Sequence, residues 1–300
     1  MSLRRLTVNT LSNRKAANRD IVRNLLTLQR LTVPSGPSGI TFFPLTYLVV
    51  AGGGGSAIDS DTFYSGGAGA GGVLQGIVTI PTGITLSLSV GGGGSVNSTG
   101  SNSFIRSSDG NSSMNVESAG GGRGGCYHRF QGFFSPEPGG SGGGDSGGDG
   151  TGTRAGATGI PGQGGNGGSA SLTPGGFRPS GGGGGGGGNG GNGTGPGTGA
   201  GGAAYTSTIT GTSVSYAGGG AGVSGSTSAP GGAPAGSGTI NTGGGAGGGS
   251  QGTTGGSGLV IVRMSNTIAA LATTTGSQTK RSAADGNTAF VFTGAGSITF

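Results

Sequence analysis

The sequence predicts a mainly β protein with few helices. Strands frame a bundle of glycine-rich, polyproline-II-like helices, and one short N-terminal α-helix precedes them. Three observations carry this prediction. Glycine accounts for 83 of 300 residues, most of them between Gly120 and Gly258. Strand-length apolar runs lie on both sides of that tract, and a single helical periodicity falls in residues 12–31.

The helix comes first in the chain. Ser12 or Asn13 can cap it, and Ile21, Leu25 and Leu28 recur at helical spacing with Val22 and Leu26 beside them. Val33-Pro34-Ser35-Gly36-Pro37 stops the helix and acts as a hinge. An isolated helix of this length is marginal in water, so its apolar stripe needs a partner. That partner is either its own domain or another protein. The basic residues concentrate here, with Arg4, Arg5, Arg14, Lys15, Arg19, Arg23 and Arg30 against one acid, Asp20. The net charge of +6 therefore describes a basic head, not a basic surface.

From residue 39 the period changes to that of strands. Ile40 to Ala51 is an apolar run bent at Pro44. Val73 to Pro81 alternates through Val73, Gln75, Ile77 and Thr79. Ile84, Leu86, Leu88 and Val90 alternate with Thr85, Ser87 and Ser89, the cleanest half-buried strand in the chain. Ser103 to Arg106 and Ser113 to Ser118 are shorter strands. Gly258 to Met264 reads as a buried strand, and Phe290–Phe292 and Ser297–Phe300 close the chain. These boundaries divide the chain into a basic helical segment (1–34), a β-rich portion (35–119), the glycine bundle (120–257) and C-terminal strands (258–300).

The glycine blocks admit three readings. Collagen needs glycine at every third position and abundant proline. Gly156 to Gly168 keeps that period for five triplets, and proline totals only 12. A flexible linker fits the composition but leaves unexplained the apolar and aromatic inserts that punctuate the blocks. Packed polyproline-II helices explain both features. Such helices have three residues per turn and no internal hydrogen bonds, so N–H and C=O groups point sideways. Those groups can pair with neighbouring helices only if the backbones approach closely, and a Cβ would prevent that.

Four segments, Tyr47–Gly55, Gly71-Gly72-Val73, Ser207–Gly220 and Gly256–Arg263, together resemble the glycine-rich domain of bacteriophage tail fibres. Tyr47-Leu48-Val49-Val50-Ala51 followed by Gly52–Gly55 resembles its opening, and Gly71-Gly72-Val73 its next stretch. Ser207 to Gly220 resembles a late segment, and Gly256 to Arg263 its closing strand. The four pieces occur in the family's order over roughly residues 38–264. The resemblance implies a virion fibre or adhesin, a homotrimer with a glycine sandwich, whose inserts contact a host-surface glycan or outer-membrane protein. The C-terminus departs from the pattern. Ala289 to Phe300 looks like a lead-in to such a domain (compare Ser38-Gly39-Ile40-Thr41-Phe42), so it either begins a second unit or completes a sheet with a neighbouring chain.

Tyr127, Phe130, Phe133 and Phe134 crowd four of 16 aromatics into one insert, beside His128 and Arg129, and Phe177-Arg178 forms a weaker group. Exposed aromatics suit sugar stacking or protein contact, and these eight residues are the expected receptor contacts. The same cluster could instead cap the bundle or bury in an interface. Arg19, Ile21, Arg23, Leu25 and Leu28 on the N-terminal helix are the expected docking residues to other virion proteins.

The chemistry of the chain is sparse. Cys126 and His128 are the only residues of their kinds, which leaves no intrachain disulfide and too few ligands for a zinc site. A hydrolytic triad would have to use His128, whose neighbours are poorly spaced for it. No enzymatic activity, cofactor or metal is expected. Asp145 and Asp149 lack the spacing of a calcium loop and read as a turn. The single Arg-Gly-Gly element and the many GxGxxG matches carry no nucleic-acid or nucleotide reading. The expected function is a phage tail fibre or adhesin, the alternative a head or neck decoration protein without a receptor role.

Overall fold

Leu259-Val260-Ile261-Val262 is apolar at every position, and both of its faces are used. In a computed structural model of the chain, Val260 and Val262 face one core together with Met264, while Leu259 and Ile261 face another. The structure describes residues 41–57, 64–108, 114–128, 132–148, 151–172, 179–194, 198–223, 232–233, 236–249 and 252–300. Nearly all of these belong to one compact unit, Phe43–Phe300. The other unit, Met1–Phe42, is described only at Thr41 and Phe42, so the expected N-terminal helix and its docking residues lie outside the described residues.

An eight-stranded antiparallel sheet forms the base. Its strands are β1 (Phe42–Val50), β2 (Val73–Pro81), β3 (Thr85–Ser89), β4 (Ser103–Ser107), β5 (Asn115–Ser118), β12 (Leu259–Ser265), β13 (Thr273–Ser282) and β14 (Asn287–Thr299). The order is β2-β1-β12-β14-β3-β4-β5, with β13 on β14. The two ends, β2 and β5, come into contact, so the sheet nearly closes. Register follows the apolar faces. Leu48 lies opposite Ile261 and Val49 opposite Val260, so like faces meet. The enclosed core takes Phe43, Leu45, Val49, Leu86, Leu88, Ile105, Phe292 and Ile298.

The C-terminus finds its partners within its own chain. Val260–Ser265 pairs with residues 292–287 of β14, and Thr85–Leu88 pairs with residues 299–296. One long strand thus bridges two half-sheets, where the sequence pattern showed two short ones. Neither a second unit nor a neighbouring chain is needed to pair it. Phe300 closes the seam, since its N–H donates to the Ile84 carbonyl and its ring meets Phe43 edge-on at 5.0 Å. Between β12 and β13 lies α1 (Asn266–Leu271), capped by the Ser265 side chain. In β2 the set Val73, Gln75, Ile77 and Thr79 is exposed apart from Val73, with Ile77 72% exposed, while Ile80 is fully buried.

The glycine segments stack on the outer face of this sheet through the second core, where Leu48, Val50 and Ile261 meet Ala70, Ile209 and Tyr216. Within the stack the hydrogen bonds run sideways with a period of three. Ala51, Gly52 and Gly53 donate to Gly72, Ser101 and Gly256, and Gly54, Gly55 and Ser56 donate to Gly69, Ser98 and Thr253, all at 2.8–3.1 Å. Each third residue returns to the same neighbouring segment, three residues further along it. The next segment repeats the pattern: Gly66, Gly69 and Gly72 donate to Gly125, Gly122 and Ala119, while Gly67 and Ala70 turn to Gly181 and Gly184. This is the pairing expected of packed three-residue-per-turn helices. The stack also takes in residues 51–57, 65–72 and 91–102, which precede the main tract.

Close approach is what selects glycine, position by position. A Cβ at Gly183 would lie 1.9 Å from the Ala68 carbonyl oxygen, a backbone atom held by its own hydrogen bonds. Elsewhere a methyl fits, as at the fully buried Ala68, Ala70, Ala221 and Ala246. Two substitutions separate these cases. Gly183→Ala should destabilise the chain by about 3 kcal/mol or more, because backbone must move to admit the methyl. Gly92→Ala, where no atom lies within 4 Å, should be neutral or stabilise by up to about 1 kcal/mol. Chemical denaturation of the two variants against the parent chain checks both values.

Candidate functional site

Three hairpins punctuate the bundle: β6 (Cys126–His128) with β7 (Gly132–Phe134), β8 (Gly152–Arg154) with β9 (Ala170–Leu172), and β10 (Tyr205–Ser207) with β11 (Val214–Tyr216), and residues 155–169 between β8 and β9 themselves belong to the stack. The first carries the aromatic cluster. Cys126 lies opposite Phe134, Tyr127 opposite Phe133 and His128 opposite Gly132. Alternation therefore sends Tyr127 and Phe133 to one face of the hairpin and His128 to the other.

The structure brings Tyr127 and Phe133 together and divides their roles from those of their neighbours. Their ring centroids lie 4.8 Å apart. Both rings rest on Gly148, where a Cβ would sit 2.7 Å from the Phe133 ring and 2.8 Å from that of Tyr127. The Arg154 guanidinium covers the Phe133 ring at 4.0 Å. His128 is buried at 4% exposure, and Phe134 is 37% exposed. Of the described receptor-contact candidates, then, Phe134 reaches solvent most freely, Tyr127 and Phe133 are half-buried, and His128 is interior. Arg129, Phe130, Phe177 and Arg178 lie outside the described residues.

Arg154 joins the hairpin to a feature that the sequence pattern does not single out. Its Nε lies 3.0 Å from Asp145 Oδ2, and the Asp145 side chain is only 2% exposed. The two groups form an ion pair without the alignment of a hydrogen bond. Asp145 Oδ1 accepts a hydrogen bond from the Ser146 N–H at 2.8 Å. Asp145 is thus the buried half of a charge pair between neighbouring elements, not the surface turn residue its sequence context indicates. Beside the pair opens a cleft of about 480 Å³, bounded by Ser135, Pro136 and Pro138 on one side and Thr153 to Thr158 on the other. A second pair, Arg123 with Glu137 at 3.1 Å, ties the glycine segment leading into the hairpin to the segment leaving it. Among the described residues no cluster of three or more His, Cys, Asp or Glu could hold a metal ion.

Burial pushes the Asp145 carboxyl up to about 6, against the lowering effects of the Ser146 N–H and the Arg154 charge. In the unfolded chain the same group ionises near the ordinary value of about 4. Between these two values the native state keeps a proton that the unfolded state has lost. Stability should therefore fall as pH rises from about 4 to about 6, and stay at the lower level above that. The change should be of order 1–3 kcal/mol. Asp145→Asn should lose this slope, and urea denaturation of both proteins across that range measures it.

Comparison with known families finds one match: residues 32–265 fit the model of the glycine-rich domain. Comparison with curated proteins and with solved structures finds no match. The matched region begins ahead of β1 and closes with β12, while α1, β13 and β14 lie beyond it. It contains every segment of the laterally bonded stack and all three hairpins. Covering more than half of the chain, the match makes this protein a member of the glycine-rich domain family.

Proposed function

We propose that the chain is a structural protein of a bacteriophage particle. In this reading it is a tail fibre or adhesin, docked through residues 1–34 and touching the host surface through hairpins of its glycine-rich domain. The observation that carries it is the construction of the stack. A scaffold held mainly by lateral backbone bonds carries short hairpins at its edge, and the first of them leaves Phe134 exposed. Such a body suits display, and the ordered resemblance of residues 38–264 to tail-fibre domains supplies the setting and the homotrimeric state. Within the contact surface, Phe134 is the described aromatic best placed to meet a receptor.

The alternative, a head or neck decoration protein, draws on a different observation. Tyr127 and Phe133 pack on Gly148 and under Arg154, as residues that finish a scaffold would. Phe134 separates the two readings, because its ring can be removed without disturbing that packing. A contact aromatic is worth about 1–2 kcal/mol, so Phe134→Ser should weaken host binding roughly tenfold. Excess purified chain should compete with the particle that carries it for adsorption to host cells. The Phe134→Ser protein should melt at the parent temperature and compete roughly tenfold less well. Failure of the parent chain to compete at all would remove the adhesin role.

A further inference from the structure

Arg154 is held on two sides, and its side chain is 24% exposed. Its Nε faces the buried Asp145 carboxylate, and its plane lies over Phe133. Its terminal Nη2 comes within 3.5 Å of Ser135 Oγ, and both residues line the cleft. A guanidinium fixed in this way needs little further ordering to take an anion through its outer edge, where paired N–H groups match a carboxylate or phosphate. The cleft's volume of about 480 Å³ falls within the range of small-molecule sites, far more than a bare ion fills. Its walls alternate in character. Ser135, Thr153 and Thr158 bring hydroxyls, and Pro136, Pro138 and Ala155 bring small apolar faces. Among the described residues no aromatic ring lines it, so these residues offer a nucleobase no stacking platform.

We propose that this cleft binds an acidic saccharide, a sugar ring carrying a carboxylate or phosphate. The anion pairs with the outer edge of Arg154. The ring hydroxyls exchange hydrogen bonds with Ser135, Thr153 and Thr158, and the C–H face rests on the prolines. This names a ligand class for the surface-contact role proposed above, and its biological meaning rests on that role.

Calorimetric titration of the full chain with glucuronate, glucose 6-phosphate, glucose and inorganic phosphate tests the assignment. At least one acidic sugar should bind, at least about tenfold more tightly than glucose or inorganic phosphate, and the better of the two identifies the acid. Ala155→Trp fills the cleft from an exposed position without touching the ion pair. It should melt at the parent temperature and weaken that binding at least about tenfold. Arg154→Lys keeps the charge but loses the fork, and should weaken it similarly. The proposal is overturned if neither acidic sugar binds, if glucose or inorganic phosphate binds equally well, or if Ala155→Trp binds as the parent does. Cell adhesion separates the two levels. A chain that binds the sugar but no bacterial surface keeps the cleft and loses the adhesin role. An Ala155→Trp chain that has lost the sugar yet adheres undiminished keeps the adhesin role and removes the cleft from it.

Discussion

The sideways hydrogen bond between glycine segments is the constraint on which the rest of the structure depends. A three-residue-per-turn helix satisfies none of its own backbone groups, so every buried N–H must find a carbonyl on another segment. Each segment consequently needs neighbours on several sides at close range, as Ala51 to Ser56 show with three partners each used twice. One net hydrogen bond contributes only about 0.5–1.5 kcal/mol, and glycine gives up more conformational freedom on folding than any other residue. The stack is therefore poorly placed to order itself alone. The sheet supplies the apolar burial it lacks: β12 lends one face to the enclosed core and the other to the junction with the stack.

This division of labour explains what could be read in the sequence. β3 and β12 were legible because their signals are local, one alternating and one continuously apolar. The glycine blocks announced lateral packing through composition and punctuation, but their partners could not be assigned. Gly53 bonds to Gly256 across two hundred residues, and a glycine carries nothing that distinguishes it from another. β13 was illegible for a different reason. Thr273 to Ser282 is exposed along most of its length, and it follows the backbone groups of β14 with no apolar face of its own. α1 is too short, at six residues, to show a helical period.

The candidate site was half legible on the same grounds. The aromatic crowding of residues 127–134 stands out in a tract nearly without rings, but local sequence does not say which rings lie on the scaffold. That depends on Gly148, whose missing side chain makes the floor for Tyr127 and Phe133. Asp145 and Arg154 are nine residues apart with no periodic relation, and only the return of the chain through β8 brings them together. One arginine among the four of the glycine tract is a weak signal, yet Arg154 marks the place where two hairpins and a cleft meet.

The buried half of that pair also bears on what the chain is built to do. Taking a carboxylate out of water is costly, and a well-packed apolar pair of similar size would hold two segments together as firmly. In the stack, small residues already do so at Ala68, Ala221 and Ala246 without any charge. The ion pair is therefore hard to explain as a stabilising device. What it does that alanine could not is fix a cation in one orientation, with Nε on Asp145, its face on Phe133 and its side chain part of the cleft wall. The pairing of the scaffold is carried by backbone, with neutral side-chain amides such as Asn166 and Asn189 accepting where a carbonyl is missing, and it does not require a buried carboxylate. In the proposed reading the ion pair's use lies toward the cleft, where an oriented cation meets the ligand.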